Sequence, residues 1–378
     1  MILYQPFSPV DIRFATISSL QEILAGLSDK RLLILSSEGT IKRLKAKGLL
    51  TDLLDKKQNC VIRDVRPNPS VDDIRALLNA LRQVDKFELI LAVGGGSSID
   101  LAKAVSALQW LGDTHELKYN EIVESIQQKK FFQEYKPAEI IAVPTTAGTG
   151  SEVTKWATVW DFKGKKKLSV EHPGCFPSYA IIVPELTADL TQRLTLTTGL
   201  DALSHAMEAF WARDRNPLSQ SIALDSIRRI MQSLPDVLVN LEDVELRKEM
   251  CIGSVMAGLA FSMTRTTACH SISYPLTLNY GIEHGFAAAI TLLPILTINR
   301  KAVPEIESIL RVFGGVDGFE SWLGCVSKGV QELKLSALGI DSSMIDNIVE
   351  GAFTQGRMDN NPVELNREDV KQVLNKLV

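Results

Sequence analysis

A chain of 378 residues is longer than a single hydrophobic core usually organises, so two domains are expected. Apolar residues at 45% and charged residues at 23% are the mixture of a folded globular protein and exclude a disordered chain. A net charge of -4 without a long lysine or arginine stripe excludes a nucleic-acid binder, and no window of about 18 uninterrupted apolar residues marks a membrane span.

The opening segment, MILYQPFSPVDIRF, lacks the basic start and apolar run of a signal peptide, which makes a cytoplasmic location the expectation. Runs rich in β-branched and apolar residues at 31–37 (RLLILSS), 59–65 (NCVIRDV), 87–98 (FELILAVGGGSS), 138–146 (AEIIAVPTT) and 179–186 (YAIIVPEL) read as strands. Between the early ones, 71–84 (VDDIRALLNALRQV) and 101–111 (LAKAVSALQWL) have helical spacing. Continuous apolar strands alternating with helices predict a parallel sheet covered on both faces, a doubly wound α/β domain. From about residue 190 the β-rich runs stop. PLSQSIALDSIRRIMQSL, VELRKEMCIGSVMAGLAFSM and FESWLGCVSKGVQEL are helical by period, and the small residues of 253–262 predict a helix that its neighbours approach closely. The expectation is a nucleotide-binding α/β domain over 1–188 and an all-helical domain over 189–378 that binds metal.

In LAVGGGSSIDLAKA (91–104) three glycines end a buried strand just before a helix. Glycine lets the backbone approach an anion, and the first N–H groups of the helix have no internal partner, so a pyrophosphate fits there. Asp100 and Lys103 follow in the first turns, where capping and surface pairing are their ordinary roles. VPTTAGTGSEVT (143–154) is a second strand-end loop, rich in hydroxyls that suit ribose and phosphate oxygens. Two such loops at one sheet edge define the crevice where open α/β sheets bind nucleotides.

Asp201 and His205 lie four apart in TTGLDALSHAMEAFW, on one face of a helix. That pair alone reads as a hydrogen bond. His270 and His284, in apolar, small-residue stretches where an unsatisfied imidazole is costly to bury, change the reading to four groups satisfied by one divalent cation. One carboxylate and three imidazoles suit iron(II), zinc or a neighbouring first-row metal. His115 and His172 are read as non-ligands, with His172 a candidate for lining a substrate pocket. Cys60, Cys175, Cys251, Cys269 and Cys325 form no CxxC pair and are expected as reduced thiols, with Cys269 read as core before nucleophile or ligand.

Together GGGSSID (94–100), PTTAGTGSE (144–152), GLDALSHAMEAF (199–210) and the pair His270 and His284 resemble the iron-containing (group III) alcohol dehydrogenases over essentially the whole chain. The resemblance implies a Rossmann-like N-terminal domain and a helical C-terminal domain, the architecture shared with dehydroquinate synthase. It also implies a homodimer or larger assembly acting on a small alcohol or aldehyde. It makes Asp201, His205, His270 and His284 the ligands of Fe(2+), with Zn(2+) the other candidate. It places Gly95, Gly96, Ser97 and Asp100 against pyrophosphate and ribose, and Thr145, Thr146, Thr149 and Lys167 around the nicotinamide-side ribose. The chain departs from the family at Tyr274, where many relatives carry a relay histidine; a phenol with a pKa of about 10 passes a proton without titrating near neutrality. It also departs at Ser37, where NAD-preferring relatives carry an aspartate. Serine hydrogen-bonds a 2′-phosphate that Lys42 or Arg43 neutralises, so NADP(H) is favoured over NAD(H), with Glu38 arguing the other way. The sequence looks most like the phosphonoacetaldehyde reductase branch, for which Lys165, Lys166 and Arg265 are candidate anion binders; the two lysines read better as an exposed loop. The rival reading is a dehydroquinate-synthase-like lyase using NAD and a metal.

Overall fold

The computed structural model describes residues 8–84, 87–113, 115–133 and 137–378. Its chain divides into two compact units. One takes the residues up to Thr146 together with Ser151–Leu186; the other takes Ala147–Gly150 and Thr187–Val378.

The first unit carries β1 (Asp11–Phe14), α1 (Ile17–Ala25), β2 (Leu32–Leu35), α2 (Glu38–Ala46), α3 (Thr51–Asp55), β3 (Cys60–Ile62), α4 (Val71–Leu81), β4 (Leu89–Gly94) and α5 (Gly96–Leu108), followed by α6 (Tyr119–Gln127), β5 (Glu139–Pro144), β6 (Trp156–Asp161), β7 (Lys166–Glu171) and β8 (Tyr179–Ile182). Six of the strands pair in parallel in the order β1-β8-β5-β4-β2-β3, and β6 and β7 form a separate antiparallel pair. The two-residue period of the strands sorts their side chains into two cores. Leu33, Leu35, Ile90, Ala92, Ile140 and Ala142 face α4, α5 and α6, while Leu32, Ile34, Leu89, Leu91, Ile141 and Val143 face α1, α2 and α3. Burial on both faces is why these strands read as unbroken apolar runs. From β2 the chain continues to β3 on one side, and from β4 to β5 on the other, so the winding reverses between β2 and β4. The C-terminal ends of those two strands lead to Ser37 and to Gly95, and that edge is where ligands bind in folds of this kind.

The second unit contains α7 (Gln192–Trp211), α8 (Pro217–Val239), α9 (Val244–Thr264), α10 (Ala268–Tyr280), α11 (His284–Ala289), α12 (Leu292–Asn299), α13 (Ile306–Phe313), α14 (Val316–Ser327), α15 (Ile345–Gly351) and α16 (Arg367–Asn375). No strand occurs in it among the described residues. Helix α7 is buried on nearly every face from Thr195 to Trp211, so it is the central helix rather than an amphipathic cover. The close approach expected around 253–262 is present: a Cβ added at Gly253 would meet Ile230 of α8 at 2.9 Å, and one at Gly150 would lie 2.6 Å from the Cα of Gly258. No described helix is long and apolar enough to cross a membrane.

Candidate metal centre

Four side chains converge from three helices of the second unit. Asp201 and His205 lie one turn apart on α7, His270 sits in the first turn of α10, and His284 opens α11. Asp201 Oδ1 is 3.6 Å from His270 Nε2, 3.9 Å from His284 Nε2 and 4.0 Å from His205 Nδ1. Ligand atoms of Asp201, His270 and His284 all lie within 4.8 Å of one another. His205 stands beside this trio, its ring stacked between His270 (centroids 4.4 Å apart) and Phe261 (4.2 Å).

Asp201 Oδ1, His205 Nδ1 and His270 Nε2 are all buried without a hydrogen-bond partner among the described residues. Buried polar atoms are rarely left so, and three facing one another make a donor set for a cation. Two donors each about 2.1 Å from one ion stand roughly 3.0–3.4 Å apart, so the spacings from Asp201 would have to close by roughly 0.2–1.0 Å around an ion. Burial alone would raise the Asp201 pKa, but the charges of His205, His270 and His284 hold it well below the carboxylate range. Burial pushes His205 down to about 3 against the pull of Asp201, so it presents a neutral ring. The side chain of His284 is 28% exposed against 6% for Asp201 and 3% for His270, which makes the His284 side the open one.

Glu208, two turns beyond Asp201 on the same helix, is a member of the site that sequence reasoning misses. Its carboxylate is wholly buried. Oε1 accepts the backbone N–H groups of Thr267 (2.8 Å), Cys269 (2.9 Å) and His270 (3.3 Å) and the Thr267 hydroxyl (2.7 Å), and Oε2 accepts His270 Nδ1–H. This fixes the proton on Nδ1 and leaves the Nε2 lone pair facing Asp201, the arrangement found behind metal-bound histidines. Burial works against the ionised forms of both partners, and their mutual attraction more than reverses it: Glu208 is lowered and His270 raised. The signal available in the sequence is an acid in the otherwise apolar stretch SHAMEAFW. Tyr274, one turn beyond His270, is buried with its ring parallel to that of His284, centroids 6.1 Å apart. Cys269 is fully buried and donates its N–H to Glu208, a core position as read.

The first unit holds the glycine-rich turn. Gly94 has φ 155°, and a Cβ there would lie 2.3 Å from Ser98 Oγ, so only glycine carries the chain from β4 into α5. Gly95 is the N-cap of the 13-residue helix α5 and gives its leading amides no side-chain hydrogen bond. Ser97 Oγ accepts the Asn68 N–H at 3.2 Å. Asp100 turns inward, its oxygens taken by the Ser151 hydroxyl (2.5 Å) and the Thr158 N–H (2.9 Å). Lys103 corrects the surface-pairing expectation: it is fully buried, and its Nζ binds the Ser151 and Trp156 carbonyls at 2.5 and 2.8 Å. Its task is to hold the 151–156 segment against α5.

Thr145 and Thr146 follow β5 in the first unit, Lys167 lies on β7 with Nζ 2.8 Å from Ser169 Oγ, and Thr149 belongs to the stretch that folds with the second unit. Ser37 caps α2: its Oγ accepts the Thr40 N–H at 3.2 Å and donates to Thr40 Oγ1 at 2.9 Å, and the Arg43 guanidinium reaches back to Thr40 Oγ1 at 3.1 Å. Glu38 turns to Arg63, 3.5 Å away. Lys165 and Lys166 are exposed at the β6–β7 turn. His115 pairs with Glu121 at 2.7 Å, and His172 accepts the Gly174 N–H at 3.0 Å beside Phe132.

Residues 9–184 match the family model for iron-containing alcohol dehydrogenase, and residues 195–378 match that for the C-terminal part of the same family. The chain is 32% identical to long-chain-alcohol dehydrogenase 1 of Geobacillus thermodenitrificans, covering 83% of this chain and 80% of that one. It is also 32% identical to phosphonoacetaldehyde reductase of Streptomyces viridochromogenes, covering 86% and 84%. Among solved structures, sulfoacetaldehyde reductase of Bifidobacterium kashiwanohense in complex with NAD+ superposes with a TM-score of 0.85 at 30% identity, over 100% of this chain and 99% of that one.

Proposed function

Since this chain belongs to the iron-containing alcohol dehydrogenase family and is a metal-dependent, nicotinamide-linked oxidoreductase, we propose that it interconverts a short-chain aldehyde and its alcohol at a divalent cation, iron(II) or zinc, held by Asp201, His205, His270 and His284. Membership of this family decides against the dehydroquinate-synthase-like lyase. The observation that carries the ligand assignment is the single Asp201 oxygen within 4.0 Å of a nitrogen of each of three imidazoles.

When bound, the cation supplies Lewis acidity at the substrate oxygen and the nicotinamide supplies the hydride, so that R–CHO + NAD(P)H + H+ gives R–CH2OH + NAD(P)+. Asp201, and Glu208 behind His270, contribute the negative charge that gives the site its attraction for a cation. Glu208 keeps His270 in the metal-binding tautomer. Substrate enters on the His284 side, and the Tyr274 phenol carries the proton in place of an imidazole. The amides at Gly95, Gly96 and Ser97 take the pyrophosphate, while Asp100 acts by fixing the loop at Ser151. Thr145, Thr146 and Lys167 of the first unit belong to the nicotinamide ribose. Ser37 with Arg43 favours NADP(H), because Glu38, the residue that argued for NAD(H), is turned to Arg63.

The test is oxidation of NADH and of NADPH with C2–C4 aldehydes, phosphonoacetaldehyde and sulfoacetaldehyde after loading the purified protein with iron(II) or zinc. Turnover that requires metal and runs faster with NADPH supports the reading. Metal-independent turnover refutes the ligand assignment, and a preference for NADH refutes the cofactor assignment.

A further inference from the structure

His284 comes to the metal centre differently from His270. The Glu208 carboxylate aims the His270 ring, whereas His284 is the first residue of α11, so its reach follows from where that helix sits on α7. The next residue is Gly285. Its φ is not positive, so no unusual backbone demands glycine there. Inside a helix glycine is about 0.5–1 kcal/mol less favourable than alanine, and its presence therefore calls for a cause in the packing.

That cause is Thr197. A Cβ at Gly285 would stand 1.8 Å from Thr197 O, 2.7 Å from the carbonyl carbon and 2.8 Å from Oγ1. Thr197 lies on α7 four residues before Asp201, where a helical carbonyl accepts the Asp201 N–H. Helix α11 thus rests on the turn of α7 that ends at the ligand carboxylate. Phe286, Ala287 and Ala288 are fully buried behind it. Glu283, the N-cap residue of α11, pairs with Arg193 in the first turn of α7, and the Arg193 guanidinium lies over the Phe286 ring, 5.0 Å from its centroid.

The margin for coordination is small. Two donors each about 2.1 Å from one ion stand at most about 4.2 Å apart, and His284 Nε2 is 3.9 Å from Asp201 Oδ1. A methyl group at position 285 reaches even 3.0 Å from Thr197 O only if α11 withdraws by about 1.2 Å, which takes His284 to about 5 Å from Asp201.

We infer that Gly285 is a positioning residue of the metal centre: its missing side chain seats α11 on α7 so that His284 reaches the ion, and the Arg193–Glu283 pair holds that seat. The inference rests on the ligand assignment proposed above and adds to it what makes His284 a ligand.

The experiment measures zinc(II) affinity by chelator competition in folded wild type, Gly285→Ala, Arg193→Met and His284→Ala, and in the two double variants that combine His284→Ala with each of the others. The hyperfine-shifted imidazole N–H signals of the cobalt(II)-loaded proteins count the histidine ligands alongside. Gly285→Ala should weaken zinc binding roughly 10- to 100-fold and show one histidine signal fewer than wild type. Arg193→Met, which removes a half-exposed ion pair, should weaken binding about two- to fivefold. In the His284→Ala background neither substitution should change affinity by more than about twofold, because the ligand they position is gone. Wild-type affinity with the full set of signals in Gly285→Ala overturns the inference, and so do losses that persist undiminished without His284. Should Gly285→Ala not fold, the Arg193→Met cycle decides alone: a loss that vanishes without His284 supports the seat, and no loss or a persistent one overturns it. Unchanged affinity in His284→Ala itself overturns the ligand assignment as well.

Discussion

The substitution Glu208→Gln isolates what the buried carboxylate does, because it keeps volume and removes only an acceptor and a charge. Oε1 faces three donors at 2.7–2.9 Å, the Thr267 N–H and hydroxyl and the Cys269 N–H, so the amide oxygen of the introduced glutamine must stay there. Its NH2 group then faces His270 Nδ1 and can only donate to it, which drives the ring proton to Nε2, the atom 3.6 Å from Asp201 that the cation needs. The flipped amide rescues the tautomer but sets its NH2 against those three donors, losing hydrogen bonds to a charged group worth about 1.5–3 kcal/mol each. Either way metal binding loses about 1.4–2.7 kcal/mol, a 10- to 100-fold weaker dissociation constant. Chelator-competition titration of zinc(II), and of iron(II) under anaerobic conditions, reads this directly. Unfolding of the metal-free variant checks that the fold persists. Zinc affinity within twofold of wild type in a folded Glu208→Gln protein would refute the claim that Glu208 orients His270.

Three further outcomes follow from the same geometry. Burial pushes the Lys103 pKa down to about 8 from 10.5 against the pull of Asp100 and Glu152, so the unfolded chain binds more protons between those values. Wild-type stability relative to Lys103→Met should therefore rise by about 3 kcal/mol in all from pH 8 to 10.5; a difference that is flat across that window in denaturant titrations would show that the buried amine does not titrate there. Gly150→Ala places a Cβ 2.6 Å from the Gly258 Cα at φ 60°, so overpacking and left-handed strain together should cost about 2–4 kcal/mol. Gly324→Ala, which meets nothing within 4 Å inside α14, is the control, and equal unfolding midpoints for the two would refute the close approach. Ser37→Asp keeps a competent N-cap for α2 but sets a carboxylate against a 2′-phosphate, so kcat/KM with NADPH should fall at least about tenfold, roughly 1.4 kcal/mol, relative to NADH; an unchanged ratio would remove Ser37 from cofactor selection.

What the sequence makes legible is what depends on local period. β2, β4 and β5 read as strands because both their faces are buried, while β1 gives little signal because Asp11–Phe14 is largely exposed and its polar-apolar alternation runs for only four residues. The β6–β7 pair is hidden because its register depends on an antiparallel partner across a lysine-rich turn, not on a run of its own. The spacing of Asp201 and His205 fixes a shared helix face, but the closeness of His270 and His284 to Asp201 is set by how α10 and α11 pack on α7, for which no spacing rule exists. What exposes them in advance is chemistry: an imidazole in an apolar stretch needs a partner. The same rule, applied to acids and lysines, finds Glu208 in SHAMEAFW and Lys103 in LAKAVSAL, since each is a charge in a helix with apolar neighbours and each proves to be buried and multiply hydrogen-bonded. Arg265 lies beyond that rule. Its singularity is a backbone angle imposed by Asn360, far downstream in the chain, and no property of the residues flanking it in sequence announces such a constraint. Buried charge can thus be inferred from its neighbours in the chain, whereas backbone strain is created by contacts that exist only after folding.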